Sequence, residues 1–262
     1  MTQDSRFDTR DARAAWNAAA DAWEEVVESG ADFHRQDVHG PALFAACEPV
    51  SGLDVLDLGC GQGYFCRELA QRGARVVAID LAEKQIAYAR MHEEDDPLGI
   101  EYHVMVASEV SRRWPDRRYD LVTACMALQD MADPAAALSS AFSALRPGGR
   151  MVFSIPHPCT DTPVCEWLLD QSGNKTALKI NHYFQSGPTV CHWRMRRLSH
   201  HWDTPYWRHT LTEWSTLVAE AGFLIQRILE PRPTPPQVRR NPELTDCYWL
   251  PYFLIFDLVK LE

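Results

Sequence analysis

The sequence lacks the long apolar runs of membrane-spanning chains. It also lacks the closely spaced cysteine pairs of many metal-binding chains. No run approaches the roughly 18 apolar residues that a spanning helix needs. The eight cysteines include no CxxC pair, and no apolar segment of the kind found in signal peptides follows the N-terminus. These absences predict a cytoplasmic protein with reduced thiols and no membrane association.

Positive charge is also scarce. The chain has 26 Lys and Arg residues against 36 Asp and Glu residues, which gives a formal net charge of -10. Because a negative field repels polyanions, this balance disfavours binding to nucleic acid. We therefore expect a small-molecule substrate as the partner and no nucleic acid, while a homodimer stays an open alternative.

Apolar segments of strand length alternate with helical patterns in the first part of the chain. The strands carry little polar alternation, which is typical of strands buried on both faces, and strand-helix repetition indicates parallel crossovers. The pattern therefore predicts an α/β fold with a doubly wound, mostly parallel sheet. The predicted strands are 53–58, 75–79, 100–106, 119–125 and 150–155, and the predicted helices between them are 64–72, 83–94 and 134–146.

Segments of other character flank this core. An amphipathic helix is predicted over 8–28, and an irregular stretch crowded with aromatic residues follows Ile155 until a helix opens at Thr210. A strand at 223–229 and a last apolar run at 252–259 complete the pattern. We divide the single domain into an N-terminal helical lid (1–50), a core (51–156), an inserted substrate cap (157–209) and a C-terminal part of the core (210–262).

The most specific motif is Val55-Leu56-Asp57-Leu58-Gly59-Cys60-Gly61-Gln62-Gly63, a buried strand that runs into a glycine-rich turn and a helix. Such a turn brings the backbone close to a ligand and points helix N-terminal amides at it. The next strand ends in Asp80, where a carboxylate can accept hydrogen bonds from both ribose hydroxyls. Together these features predict an adenosine site.

An NAD site is the alternative that must be weighed. The dinucleotide fingerprint GxGxxG requires a third glycine where this chain has Tyr64, whose ring would hinder close helix-strand packing. Asp57 precedes the glycines, where it can accept a hydrogen bond from an amino group, as an amino-acid ligand requires. These residues favour a methyl donor that carries an amino acid.

With these motifs the chain resembles class I S-adenosylmethionine-dependent methyltransferases, in particular the small-molecule, UbiE-like group. The resemblance extends over roughly residues 10 to 260. Further matching pieces are Ala124-Cys125-Met126-Ala127-Leu128-Gln129-Asp130-Met131, Leu145-Arg146-Pro147-Gly148-Gly149-Arg150, Ser154-Ile155-Pro156-His157-Pro158, Ala221-Gly222-Phe223 and Glu230-Pro231. It implies S-adenosylmethionine as cofactor, and a Rossmann-like seven-stranded sheet in the order 3-2-1-4-5-7-6 with an antiparallel last strand.

The resemblance also implies the roles of individual residues. The methionine part of the cofactor is expected beside Gly59, Cys60, Gly61 and Gly63, with its amino group on Asp57 and the ribose on Asp80. Leu81 is expected to pack on the adenine, and Met126 to flank the sulfonium. The family commonly has an acidic residue after the third strand, where this chain reads Val106-Ala107-Ser108-Glu109, so Ser108 or a backbone carbonyl is the expected substitute.

The acceptor substrate is expected at the carboxyl ends of the strands, under the first helix and the cap. Trp23, Tyr183 and Trp207 are the candidate substrate-binding residues, with a purely structural role in packing as the alternative for each. The abundant rings favour a planar, aromatic or heterocyclic acceptor. Basic residues in the cap suggest an anionic group on it, although a solvated surface explains them equally: Lys175, Lys179, Arg194, Arg196, Arg197 and Arg208.

Methyl transfer to such a molecule, on nitrogen or oxygen, is the function that the sequence predicts. Positioning and desolvation supply most of the acceleration, and a base is needed only if the acceptor must lose a proton. His157 and His201 are the candidate bases, and Asp130 the residue that orients the acceptor.

Three alternatives stay open at this point. The first is a protein that binds S-adenosylmethionine without methyl transfer, and the second is an RNA methyltransferase. The third is a metal site in the cap, although the spacings of its histidines and cysteines match no zinc pattern and we expect no metal: His157, Cys159, Cys165, His182, Cys191, His192 and His200.

Overall fold

The computed structural model describes residues 7–194 and 201–261. Its strands, numbered in chain order, are β1 (Asp54–Leu58), β2 (Arg75–Asp80), β3 (Glu101–Val104), β4 (Tyr119–Cys125), β5 (Leu145–Pro156), β6 (Val164–Leu169), β7 (Lys175–Asn181), β8 (Gly187–Arg194), β9 (His201–Arg208), β10 (Leu224–Leu229) and β11 (Phe253–Val259). Its α-helices are α1 (Thr9–Glu28), α2 (Gly40–Cys47), α3 (Tyr64–Gln71), α4 (Glu83–Asp95), α5 (Val110–Arg113), α6 (Pro134–Ala144), α7 (Leu211–Glu220), α8 (Pro235–Arg240) and α9 (Thr245–Trp249). Of the helices in these ranges, none combines the length and apolarity that crossing a membrane requires.

Seven strands form one sheet in the order β3-β2-β1-β4-β5-β11-β10. Strands β1 to β5 pair in parallel, whereas β11 is antiparallel to both of its neighbours. Because β10 and β11 are the sixth and seventh strands of this sheet along the chain, the predicted order 3-2-1-4-5-7-6 and the antiparallel last strand are confirmed. The fold is the Rossmann-like α/β fold that the sequence predicts.

Strand β1 shows why the sheet is buried on both faces. Val55, Leu56 and Leu58 have no exposed surface. Leu56 and Leu58 belong to the apolar cluster that includes residues of α6 and α7, while Val55 belongs to the cluster that includes residues of α3 and α4. Helices therefore cover both faces of β1, which explains why its apolar residues do not alternate with polar ones.

The helices around the sheet begin where the sequence provides caps. Asp8 and Asp11 form a capping box at the start of α1, and Thr210 and Glu213 form one at the start of α7. In each box a side-chain oxygen accepts a hydrogen bond from a backbone N–H that has no partner within the helix. These caps account for the close agreement between the predicted and observed helix starts.

The stretch between β5 and α7 forms two hairpins rather than an irregular cap. Strand β6 pairs with β7 and strand β8 pairs with β9, in both cases antiparallel. Pro188 and Pro205 lie inside β8 and β9, and proline within an apolar run argues against a strand when only the sequence is read. The division into 1–50, 51–156, 157–209 and 210–262 stays a prediction.

Candidate functional site

A cavity of about 270 Å³ lies at the carboxyl ends of β1, β2 and β4. Strand β1 lies between the other two, so the cavity occupies the point where the strand order reverses, which is where α/β sheets bind ligands. The residues that line it are Trp16, Trp23, Asp32, His34, Arg35, His39, Asp57, Gly59, Cys60, Gly61, Tyr64, Phe65, Asp80, Leu81, Gln85, Cys125, Met126, Ala127, Asp130, Met131, Trp193 and Phe253.

The glycine-rich turn forms the floor of this cavity. Gly59, Gly61 and Gly63 have φ values of 71°, 56° and 94°, in the left-handed region that favours glycine. A β-carbon at Gly59 would lie 2.6 Å from the β-carbon of Ala127. Gly59 and Gly61 line the cavity, whereas Gly63 is the N-cap of α3 and is not part of the lining.

Asp57 is a buried carboxyl at the wall of the cavity, with 1% of its surface exposed. Its Oδ1 accepts a hydrogen bond from Thr123 Oγ1 at 2.6 Å, and its Oδ2 accepts one from Cys66 Sγ at 3.1 Å. Burial raises the pKa of Asp57 to about 6, although these two bonds lower it. A cationic group in the cavity would therefore meet a carboxyl that ionises near neutral pH.

Asp80 ends β2 and is held by backbone amides. Gly61 N–H donates to Oδ2 at 2.9 Å, and Ala82 N–H donates to Oδ1 at 2.8 Å. Burial raises the pKa of this carboxyl, against the lowering effect of these bonds. Since each carboxylate oxygen has two acceptor sites, both oxygens can accept a further hydrogen bond from a ligand.

A smaller cavity of about 40 Å³ adjoins the first and shares Gly59, Asp80, Leu81, Asp130 and Met131 with it. Its other walls come from α1 and from the segment after β3, where Ser108 lies. The shared residues make the two cavities neighbouring compartments of one site. Of the predicted adenine contacts, Leu81 lines both cavities and Ser108 lines the smaller one.

Tryptophan side chains cover the larger cavity. Trp16 and Trp23 of α1 have ring centroids 6.0 and 5.6 Å from that of Trp193 on β8, in edge-on arrangements. Trp202 of β9 stacks on Trp193 at 5.7 Å with an interplanar angle of 10°. The first helix and the second hairpin therefore meet above the site through one aromatic cluster.

The end of the cavity near the segment 32–39 contains residues that the sequence did not single out. Arg35 is the one Lys or Arg among the described residues that line the cavity, and its guanidinium lies 4.3 Å from the ring centroid of Tyr64. His39 is 4% exposed and packs against Phe253 at 4.6 Å. Burial lowers the pKa of His39 to about 4, so its imidazole is neutral at pH 7.

Met126 and Asp130 line the cavity after β4. Met126 has a φ of 51°, and its N–H donates to Ser154 Oγ at 3.1 Å. Asp130 Oδ2 accepts from Gln129 Nε2 at 3.2 Å, while Oδ1 is buried without a hydrogen-bond partner among the described residues. Burial raises the pKa of Asp130 well above its usual value.

The other predicted catalytic and substrate residues lie outside the cavity lining. His157 is buried, its Nε2 lies 3.1 Å from Glu230 Oε1, and its Nδ1 accepts from Cys159 N–H at 3.1 Å. His201 is exposed at the start of β9. Tyr183 Oη accepts a hydrogen bond from Leu211 N–H, and Trp207 is buried in β9. Of the predicted substrate residues, only Trp23 lines the cavity.

The basic residues of the cap are paired with acids. Lys175 binds Asp246, Lys179 binds Glu166, Arg194 binds Asp203, and Arg208 binds Asp161. Arg196, Arg197 and His200 lie outside the described residues. Because these acids balance the basic side chains, the cap does not form a basic surface at the described positions.

Side chains that could together ligate a metal ion lie outside the cap. Within residues 7–194 and 201–261, one group of His, Cys, Asp and Glu side chains comes close enough to hold an ion, formed by Glu24, Glu28 and His92. His92 Nε2 lies 2.8 Å from Glu24 Oε1. None of the three belongs to the cap residues considered as metal ligands from the sequence.

The donors and acceptors of the cavity fit S-adenosylmethionine. Asp57 suits an ammonium, Arg35 suits a carboxylate, and Asp80 suits two hydroxyl groups. A sulfonium amino acid attached to a nucleoside presents all of these groups. The glycine turn leaves room for the backbone to approach such a ligand closely.

A family model and solved structures are similar to this chain. A family model described as a methyltransferase domain matches residues 34–227. The crystal structure of an S-adenosylmethionine-dependent methyltransferase from Mesorhizobium loti is 30% identical, with a TM-score of 0.69 over 84% of this chain and 96% of that chain. The 1,6-didemethyltoxoflavin-N1-methyltransferase of Burkholderia thailandensis, which is 16% identical with a TM-score of 0.55 over 96% of this chain and 91% of its own, shows the fold alone.

A curated relative matches over a shorter region. The ubiquinone biosynthesis O-methyltransferase of Pseudomonas fluorescens (strain SBW25) is 34% identical over 105 residues, which are 40% of this chain and 45% of that protein. The chain thus spans less than half the length of this relative. Because the family model covers most of the chain and the similarity to the Mesorhizobium loti structure extends along almost all of that protein, the chain belongs to the class I S-adenosylmethionine-dependent methyltransferases.

Proposed function

We propose that this protein transfers the methyl group of S-adenosylmethionine to a hydroxyl group of a small aromatic or heterocyclic molecule. The observation that carries the proposal is the cavity itself, where the glycine turn, Asp57 and Asp80 face a space covered by tryptophan rings. Oxygen is favoured over nitrogen as the acceptor atom because the curated relative is named an O-methyltransferase.

Each end of the cofactor has a matching group. Asp57 accepts hydrogen bonds from the ammonium, Arg35 pairs with the carboxylate, and the glycine turn at 59–61 lets the backbone lie close to the methionine chain. Asp80 accepts from the ribose hydroxyls, Leu81 and Ser108 contact the adenine, and Met126 flanks the sulfonium. When bound, S-adenosylmethionine supplies an electrophilic methyl group on a positively charged sulfur. Gly63 acts indirectly, by starting α3.

The chain's own contribution to the rate is positioning and exclusion of water. The aromatic cover of Trp16, Trp23 and Trp193 separates the reacting atoms from solvent, and Tyr64 and Phe253 offer faces for a planar acceptor. Holding the acceptor oxygen in line with the methyl group removes most of the entropic cost of reaction. A dry cavity also strengthens every electrostatic contact within it.

Proton removal is a secondary requirement. Burial raises the pKa of Asp130, and in its protonated form this carboxyl can donate a hydrogen bond that orients the acceptor but cannot take up the acceptor's proton. His157 and His201 stay predictions as bases, and their separation from the cavity lining favours neither. His39 also lines the cavity, and burial lowers the pKa of its imidazole to about 4, so it is a weak base.

An anionic acceptor and an RNA acceptor lose their main support. Both ideas depended on unpaired basic residues in the cap, and the described ones are in ion pairs. Inside the cavity the carboxyls of Asp32, Asp57 and Asp80 outnumber Arg35, so neutral acceptors are favoured over anions.

A methylation assay tests the proposed function. The protein is incubated with methyl-tritiated S-adenosylmethionine and a panel of phenols, catechols and nitrogen heterocycles, with an Asp80→Asn variant as control. We expect label in at least one catechol or phenol, and loss of most of it in the variant. Cofactor binding without transfer to any acceptor, including a metabolite extract, would instead identify a protein that binds the cofactor without turnover.

A further inference from the structure

Gln85 is a buried amide that faces the cofactor cavity without a hydrogen-bond partner. It is the third residue of α4, is 1% exposed and lines the same cavity as Asp80 and Gly61. Neither its Nε2 nor its Oε1 has a hydrogen-bond partner among the described residues. A buried amide without hydrogen-bond partners lowers the stability of the fold. A bound ligand that supplies these partners is the simplest explanation for its place in the cavity wall.

The usual structural role of glutamine at this helical position is taken by other residues. A glutamine three positions after the N-cap commonly accepts a hydrogen bond from the N-cap N–H. Here that N–H belongs to Ala82 and donates to Asp80 Oδ1 at 2.8 Å. Another free amide of the helix, that of Lys84, donates to Asn17 Oδ1 at 2.9 Å. The start of α4 therefore does not need the Gln85 amide.

Gln85 lies beside the glycine turn, at the point where this turn contacts Asp80. A β-carbon on Gly61 would lie 3.8 Å from Gln85 Oε1 and 3.6 Å from Trp23 Nε1. Gly61 N–H in turn donates to Asp80 Oδ2 at 2.9 Å. The amide thus lies next to the glycine turn, whose N–H is bound by the carboxylate expected to hold the ribose.

We propose that the Gln85 amide hydrogen-bonds a ribose hydroxyl of S-adenosylmethionine, as a second ribose ligand beside Asp80. A hydroxyl that donates its proton to a carboxylate keeps lone pairs that an amide N–H can bind. The inference rests on the proposed cofactor site and adds to it a residue that binds the vicinal diol of an adenosine.

The first test compares Gln85→Met with Gln71→Met. Methionine is close to glutamine in size and helix propensity, and Gln71 is exposed at the end of α3. Calorimetry with S-adenosylhomocysteine should give a Kd about tenfold or more higher for Gln85→Met and an unchanged one for Gln71→Met. The melting temperature of ligand-free Gln85→Met should be unchanged or raised, because the variant removes an unpaired buried amide.

The second test identifies the partner group. The 2′-deoxy and 3′-deoxy analogues of S-adenosylhomocysteine are titrated into wild type and Gln85→Met. For at least one analogue, wild type should lose about tenfold in affinity while the variant loses much less, since the variant already lacks the bond. If Gln85 has only a structural role, the melting temperature of Gln85→Met should be lower than that of wild type. Wild type and the variant should then lose the same factor of affinity with each analogue.

Binding of S-adenosylhomocysteine by wild type separates the role of Gln85 from the cofactor site itself. If wild type binds S-adenosylhomocysteine but Gln85→Met binds it equally well, the role of Gln85 is refuted while the cofactor site stands. If wild type does not bind S-adenosylhomocysteine at all, the proposed cofactor site is refuted, and the role of Gln85 with it.

Discussion

Asp57 couples cofactor binding to pH at the scale of a single residue. Burial raises its pKa from the ordinary 3.8 to about 6 in the folded protein. The fold therefore favours the protonated carboxyl, and the stability that this preference contributes is present below about pH 4 and is lost as the pH rises through about 6. A bound ammonium favours the ionised carboxylate instead, so binding and protonation oppose each other.

The affinity for S-adenosylmethionine should consequently rise with pH. We expect roughly a tenfold tighter Kd at about pH 7 than at about pH 5, with release of a proton on binding in the lower part of this range. Calorimetry in two buffers of different ionisation enthalpy measures both quantities. Asp57→Asn is the control and should bind weakly with little dependence on pH. An equally steep pH dependence in the variant would assign the effect to another group.

How far the sequence predicts individual site residues depends on whether they lie in a contiguous motif. Asp57, Gly59 and Asp80 are recognisable because a strand, a turn and the next strand end position them together in any such sheet. Arg35 and Gln85 are not, because their approach to the cavity depends on how the segment after α1 folds and on which face α4 turns inward. A buried, partnerless amide is visible only in three dimensions.

At the scale of elements, α1 is joined to α4 by Asn17. Its Oδ1 accepts from Lys84 N–H at 2.9 Å, and its Nδ2 donates to Glu83 Oε2 at 2.6 Å. One side chain thus caps a helix of the core and holds the covering helix beside it.

Loss of this cap should destabilise the protein moderately. We expect Asn17→Ala to lower the free energy of unfolding by about 1 kcal/mol, because Lys84 N–H loses its partner. Urea denaturation measures this quantity. Glu94→Ala, at an exposed position of α4, should change the free energy of unfolding by less than about 0.5 kcal/mol. Equal effects of the two changes would mean that Asn17 does not act as a cap.

The tryptophan cover should report ligand binding directly. Trp193 lines the cavity, whereas Trp202 stacks on Trp193 and is not part of the lining. Binding of S-adenosylhomocysteine should therefore change the tryptophan fluorescence of wild type, and the change should be smaller in Trp193→Phe but largely kept in Trp202→Phe. A titration of all three proteins measures this. A response that depends on Trp202 alone would contradict the assigned cover.

The sequence predicts a helix or strand where its apolar residues recur with the period of that element. The core strands and the helices α1, α3, α4, α6 and α7 follow from apolar periodicity and caps. The hairpins β6–β7 and β8–β9 do not, because prolines and charged residues interrupt their strands and their pairing depends on contacts with the rest of the fold. The short helices α8 and α9 were missed for a similar reason, since the stretch before β11 is rich in proline.

At the scale of the whole molecule, charge and topology act in the same direction. The net charge of -10 produces a field that attracts a cationic sulfonium and repels nucleic acid. The reversal of strand order beside β1 opens the crevice that receives the ligand. Composition therefore indicates the class of ligand, and topology determines where on the sheet it binds.

The central claim is that this crevice binds S-adenosylmethionine rather than a dinucleotide, and titration calorimetry with S-adenosylmethionine and with NAD tests it most directly. Wild type and Asp80→Asn are compared, with melting temperatures to verify that both are folded. The account predicts that wild type binds the sulfonium ligand, that Asp80→Asn binds it about tenfold or more weakly, and that neither protein binds NAD appreciably. Tight binding of NAD by wild type, or an affinity for S-adenosylmethionine that does not change in Asp80→Asn, would contradict it.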